Sequence, residues 1–203
     1  MMERWQGMMM GYDPELPPAY KRVNWLQSAG TGQYIETSLT STYKYRIRIK
    51  TTESSTPTGS YGYFGWFATG SQNEMQTWAS GGTATLKAVH GTDNATYDVG
   101  YPLDGVFEAD GAKVTCNGYT HTGNAVPPDV GIEFCLFGYK RANGTVNSLG
   151  SCRIYSATFW TSGGTMTANY IPCIRGSDSK PGMYDTVSKT FLTNSGTGEL
   201  TYG

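Results

Sequence analysis

Residues Tyr43 to Lys50 alternate without a break. Tyr43, Tyr45, Ile47 and Ile49 fall on one side of an extended chain, and Lys44, Arg46, Arg48 and Lys50 fall on the other. Successive side chains of a strand point to opposite faces, so this period of two predicts a half-buried antiparallel strand with a basic outer face. Such a strand needs a sheet around it, and the rest of the chain supplies candidates. Gln33–Thr37 alternates, Tyr61–Phe67 is aromatic and interrupted by glycine, and Ala84–His90 reads as a further strand. Glycine inside a strand points to a bulge or a close backbone approach. Ile132–Tyr139 is nearly all apolar, which predicts a deep position. Cys152–Trp160 alternates only imperfectly, through Cys152, Ile154, Tyr155 and Phe159. The segment Val106–Cys116 reads as a hairpin, with Asp110-Gly111 supplying the positive φ angles of a two-residue type I′ turn. Asn143-Gly144 marks another tight turn. Turn signals spaced roughly 8–15 residues apart fit two packed antiparallel sheets.

Composition narrows the function classes. The net charge of −1 over 203 residues argues against a general nucleic-acid surface, which needs a basic excess to release counterions. No apolar run reaches the roughly 20 residues that span a bilayer, so no membrane partner is expected. The opening MMERWQGMMMGYDPELPP carries Glu3, Arg4 and Gln6 where a secretory signal needs an apolar stretch. Synthesis and folding in a bacterial cytoplasm are therefore expected. In that reducing setting Cys116, Cys135, Cys152 and Cys173 are expected as free thiols, since buried cysteine often serves as a small hydrophobe.

Residues 1–18 differ from the remainder. Trp5 and Met8, Met9 and Met10 precede Pro14, Pro17 and Pro18. Methionine and tryptophan suit adaptable interfaces, and the prolines break regular structure. This segment is expected to be a docking arm, with residues 19–203 forming one domain.

Two longer stretches carry a resemblance. Residues 16–37 read LPPAYKRVNWLQSAGTGQYIET. Residues 163–203 contain Tyr170-Ile171-Pro172-Cys173-Ile174-Arg175, then Pro181-Gly182-Met183-Tyr184-Asp185, then Phe191-Leu192-Thr193-Asn194-Ser195-Gly196-Thr197-Gly198. The segment Arg153-Ile154-Tyr155-Ser156 adds a third match. Together they resemble the concanavalin A-like (laminin-G-like) jelly-roll domain of bacteriophage virion proteins and gut-bacterial surface proteins. The resemblance implies an all-β, two-sheet antiparallel jelly-roll sandwich of the lectin/glucanase type, with its two terminal motifs at opposite edges. Residues 163–203 themselves read as a strand, then a compact loop, then a glycine-rich end. The resemblance implies a non-enzymatic virion structural protein, located in the virion and displaying a lectin-like domain from capsid or tail. The implied partners are other virion proteins reached through the arm, host or mucosal glycans, and further copies of the chain. The alternatives are a carbohydrate-binding module or adhesin of a gut bacterium and, third, a glycan-degrading enzyme.

The residues give little support to catalysis. Retaining glycoside hydrolysis needs two carboxyl groups about 5–5.5 Å apart. Glu133 stands alone in its strand, and Glu108 has only Asp110 two positions on, in the expected turn. His90 and His121 sit in no triad motif, and with no close ligand pair they make no zinc site. Asp93, Asp98 and Asp104 share a loop-rich segment, but calcium takes six to eight oxygens and their spacing matches no calcium loop. They are read as turn formers, and no cofactor is expected. Sugar binding uses aromatic rings for stacking, and Trp66, Trp78, Trp160, Tyr101, Tyr119 and His121 are available. Trp78, Tyr119 and His121 lie in polar, loop-like surroundings and are the expected sugar contacts.

Overall fold

The computed structural model describes residues 15–40, 43–52, 61–68, 71–80, 83–91, 103–116, 118–122, 130–147 and 150–203, with backbone alone for 71–80, 83–91 and 121. These residues form strands and no helix. The first strands are β1 (Tyr20–Arg22), β2 (Leu26–Ala29), β3 (Ile35–Glu36), β4 (Lys44–Thr51), β5 (Tyr61–Ala68), β6 (Ser71–Ser80) and β7 (Thr83–Gly91). There follow β8 (Asp104–Asp110), β9 (Lys113–Cys116), β10 (Tyr119–Thr122), β11 (Cys135–Leu136), β12 (Tyr139–Arg141) and β13 (Val146–Asn147). The C-terminal set is β14 (Ser151–Trp160), β15 (Met166–Arg175), β16 (Pro181–Asp185), β17 (Thr190–Thr193) and β18 (Thr201–Tyr202).

The larger sheet runs β10-β9-β8-β4-β14-β15-β16-β17. In the smaller one β13, β12, β5, β11 and β3 lie in that order, and β6 joins β5 to β7. The two sheets meet through aromatic side chains. Tyr45 of the larger sheet lies 6.2 Å from Phe64 and 5.2 Å from Phe134, centroid to centroid. Phe107 meets Phe64 at 5.0 Å, and Phe159 meets Phe134 at 5.1 Å. All five rings are fully buried, and each contributes about 1.5–3 kcal/mol by leaving water. This is the two-sheet sandwich that the alternation predicts. In β4, Tyr45, Ile47, Ile49 and Thr51 are buried while Arg46 is exposed.

Four local expectations are corrected. The hairpin between β8 and β9 pairs Asp110 with Lys113, so its two central residues are Gly111 and Ala112. Gly111 has φ +60° and Ala112 has no positive φ, which is the pattern of a type II′ turn and not type I′. Pro181–Asp185 is a strand, not a loop, and completes a β14–β17 meander. The sheets are not wholly antiparallel, because β12 pairs with β5 in parallel. The chain has just run antiparallel to β5 in β11, and Phe137, at φ +68°, sits where it reverses. The apolar run Ile132–Tyr139 is buried as predicted, but as two short strands about that reversal.

The fourth concerns the arm. Leu16 is only 5% exposed and packs with Ile171, Cys173 and Tyr184, joined by Tyr20 and Phe191. Here β1 pairs with β15, and the Tyr20 ring lies 4.8 Å from that of Tyr184, tilted at 45° to it. Residues 15–18 thus belong with the sandwich and cover the outer side of β15 and β16. This explains the unbroken apolar run at 170–174, since a strand covered on both faces has no reason to alternate. Trp5, Met8, Met9 and Met10 lie outside the described residues.

Candidate functional site

The outer face of the larger sheet is built by β8, β4, β14 and β15 lying side by side. On it the basic residues of β4 meet the acidic residues of β8 in register. Lys44 stands opposite Asp110, Arg46 opposite Glu108, and Lys50 opposite Asp104, while Arg48 stands opposite Val106. Lys44 Nζ donates to Asp110 Oδ2 at 2.7 Å. Lys50 Nζ donates to Asp104 Oδ2 at 2.9 Å, and Arg48 Nη1 reaches Asp104 Oδ1 at 2.8 Å. The Lys50 bond and then the Arg48 bond hold the Asp104 carboxyl below the usual carboxylate range. The Asp110 bond raises the Lys44 ammonium. The basic face read from β4 is therefore largely neutralised by β8, and Asp104 is an ion-pair partner.

The groove beside this ladder depends on a bulge. In β14 the pairing with β4 slips between Ile154 and Ser156. Cys152 and Ile154 are buried before the slip, Ala157 and Phe159 after it. One extra residue changes which parity faces the core. Without it, Ser156, Thr158 and Trp160 would share the core-facing parity of Cys152 and Ile154. With it, all three line an open groove of about 450 Å³. Arg46 and Arg48 form part of the same lining, with Met166 and Asn169 on the β15 side. A second slip sets Met166 opposite Trp160. Thr158 Oγ1 donates to Asn169 Oδ1 at 3.1 Å, and Asn169 Nδ2 donates to Thr186 Oγ1 at 2.9 Å, which fixes the amide. Lys44 Nζ stands 5.9 Å from the Trp160 ring centroid. The groove thus offers a partly buried indole, hydroxyls, an amide and two guanidinium groups.

The other aromatic candidates divide differently from the sequence reading. Trp66 is fully buried in the core. The Trp25 ring is covered by Arg153 at 4.2 Å, and the Tyr155 ring by Arg48 at 4.9 Å. Trp78 is a strand residue paired with Thr85, not a loop residue, and its side chain lies outside the described residues. Tyr119 and His121 are also strand residues. They lie on β10, paired with Cys116 and Val114. Tyr119 is 56% exposed, and the His121 side chain lies outside the described residues. Strand β10 is separated from β14 by three strands, β9, β8 and β4, so the structure does not bring Tyr119 to the groove. Tyr101, Asp93 and Asp98 lie outside the described residues.

Glu133, read as solitary, is not. Lys140 Nζ donates to Glu133 Oε2 at 2.5 Å and lies 3.1 Å from Glu36 Oε1. The Glu133 bond, with help from Glu36, raises the Lys140 ammonium. The two carboxylates are held by one cation over the buried Cys135, whose thiol desolvation pushes up. Asp110, two positions from Glu108 on β8, is engaged by Lys44. Among the described residues no group of His, Cys, Asp and Glu could hold a metal. The signal for the groove was present in the sequence, as the break in alternation at Tyr155-Ser156. Its meaning depended on which strand lay opposite. Comparison with protein families, curated proteins and solved structures finds no match to this chain.

Proposed function

We propose that this chain is a non-enzymatic, lectin-like jelly-roll domain of the concanavalin A-like kind, carried on a bacteriophage virion, with the groove beside Trp160 as its saccharide site. The observation that carries the binding part is the composition of that groove. A partly buried indole next to hydroxyls, an amide and guanidinium groups suits a polyol that has one apolar ring face. A binding reading is favoured over a hydrolytic one because Glu133 and Asp110 are held by Lys140 and Lys44, and Glu108, the other carboxylate weighed, lies outside the groove lining. A general acid would need a carboxyl free to exchange its proton with substrate. The jelly-roll type and the virion setting rest on the resemblance at residues 16–37, 153–156 and 163–203, and fold likeness does not by itself fix function.

The test is saccharide binding by the intact protein, read by intrinsic tryptophan fluorescence against a panel of host-surface and mucin-type glycans. Binding that Trp160→Ala removes, with the melting temperature unchanged, is the expected result. Failure of the whole panel would remove the lectin reading. The virion setting is tested separately, by peptide mass spectrometry of purified particles, where absence of this chain would remove it.

A further inference from the structure

We infer that the groove takes an acidic saccharide, with the anion of a uronic acid or a sulfated sugar seated on the Arg46 guanidinium and the sugar ring against Trp160. This rests on the lectin reading and names its ligand class.

The charge ladder is the starting point. Strand β4 brings four cations to the outer face and β8 brings three carboxylates, because Val106 stands where the fourth would be. Lys44, Arg48 and Lys50 are each ion-paired, with Asp110 or Asp104. Among the described residues Arg46 makes no ion pair. Its opposite neighbour Glu108 lies outside the groove lining. The lining contains two guanidinium groups and no carboxylate. Arg48 is held by Asp104 and by the Ile49 and Gly105 carbonyls, at 3.1 and 3.2 Å. Arg46 is thus the cation available to a ligand.

The placement of Arg46 fits that role. It stands opposite Thr158 across the β4–β14 ladder, and Trp160 stands opposite Lys44 two positions away. Directly paired strands lie about 4.8 Å apart, and alternate residues along a strand about 6.8 Å. A guanidinium and an indole so placed can hold the anion and the ring of one sugar unit together. The planar guanidinium matches a carboxylate or a sulfate through two parallel N–H donors. A neutral sugar would leave Arg46 without that partner.

The experiment is a fluorescence titration at physiological salt with four probes of equal length. These are an oligouronate, a sulfated oligosaccharide, a neutral oligosaccharide and a single-stranded oligonucleotide. Wild type, Arg46→Gln and Arg46→Lys are compared. The expected result is that an acidic saccharide binds at least about tenfold tighter than the neutral one, that Arg46→Gln removes this preference, and that Arg46→Lys restores it in part. Preference for the uronate or for the sulfated probe names the anion, and either supports the inference. Equal binding of acidic and neutral probes, unchanged in Arg46→Gln, overturns the acidic class and leaves the lectin reading standing. Tighter binding of the oligonucleotide than of either acidic sugar also overturns it. Binding of no saccharide overturns both. Arg46 is exposed on its strand, so its variants should fold, and an unchanged melting temperature verifies this.

Discussion

The side-chain carbonyl of Asn194 accepts the backbone N–H of Tyr34 at 3.0 Å, across 160 residues of chain. Ser195 N then donates to the Tyr34 carbonyl at 2.8 Å, and Thr197 N to the Gly32 carbonyl at 3.0 Å. The same Asn194 oxygen accepts Gly196 N at 3.1 Å, while its amide nitrogen donates to the Gly198 carbonyl at 2.8 Å. The two terminal motifs, expected at opposite edges, are clasped together. The chain ends close beside them, where β18 pairs with β2 and the Gly203 carbonyl accepts Trp25 N at 3.1 Å.

Asn194→Ala should destabilise the domain by on the order of 2–3 kcal/mol, because it removes the side-chain partner of Tyr34 N, Gly196 N and the Thr197 and Gly198 carbonyls, on two segments. Asn194→Asp keeps the acceptor and loses the donor, so it should fall between. Urea denaturation of the three proteins checks the order. Gly196→Ala should be at least as costly, since a Cβ there would run into the Gly32 carbonyl and the Tyr34 ring, whose nearest atom is 2.7 Å away.

Among the described residues Thr167 Oγ1 is a buried hydroxyl without a hydrogen-bond partner. Thr167→Val keeps the shape and removes the unmet polar group. It should raise stability by about 1 kcal/mol, seen as a rise of about 2–4 °C in melting temperature. A fall would mean that water or a ligand satisfies the hydroxyl in solution.

All four cysteines are buried thiols outside any disulfide. Burial pushes the Cys116 and Cys173 thiols up to about 12. Reaction with a thiol reagent at pH 8 should therefore be slow in the native protein and complete on unfolding, with four equivalents taken up. Fast native reaction of any one cysteine, located by peptide mapping, would contradict its buried position.

Arg175 grips Asp178 through two donors, Nε at 3.0 Å and Nη2 at 2.6 Å. This contact, aided by the Lys180 N–H, lowers the Asp178 carboxyl from 3.8 to about 2. Because the folded value lies below the unfolded one, the contribution is fully present above about pH 4. It is lost as the pH falls toward 2. Carboxyl NMR should place the Asp178 midpoint near 2, and Arg175→Gln should move it up toward 3.8. A midpoint unmoved by that change would assign the effect to the backbone.

Removal of residues 1–16 should lower the melting temperature below that of the chain lacking only residues 1–14, because Leu16 is buried against Ile171 and Tyr184. Full burial of a leucine side chain is worth about 1.5–3 kcal/mol. Equal melting temperatures for the two truncations would show that the Leu16 contact with Ile171 and Tyr184 does not form.

Much of the architecture was legible along the chain. The strict alternation of Tyr43–Lys50 determined which β4 side chains enter the core, since a strand has only two faces and apolar groups leave water. The aromatic strand at Tyr61–Phe67, the β8–β9 hairpin and the buried run near Phe134 were readable for the same reason. All three are local, and burial imposes a period. What only the tertiary structure decided was non-local. No local rule reveals that β8 sets Asp104 and Asp110 against the lysines of β4, or that one cation, Lys140, joins Glu36 to Glu133. The bulge at Tyr155-Ser156 turns Trp160 from the core-facing parity into a groove, and only pairing with β4 shows it. The clasp of Asn194 on Tyr34 likewise exists because the folded sheets bring distant backbone groups within hydrogen-bond reach. Composition and period carry the burial of apolar surface, whereas the meeting of charges and donors depends on which strand lies beside which.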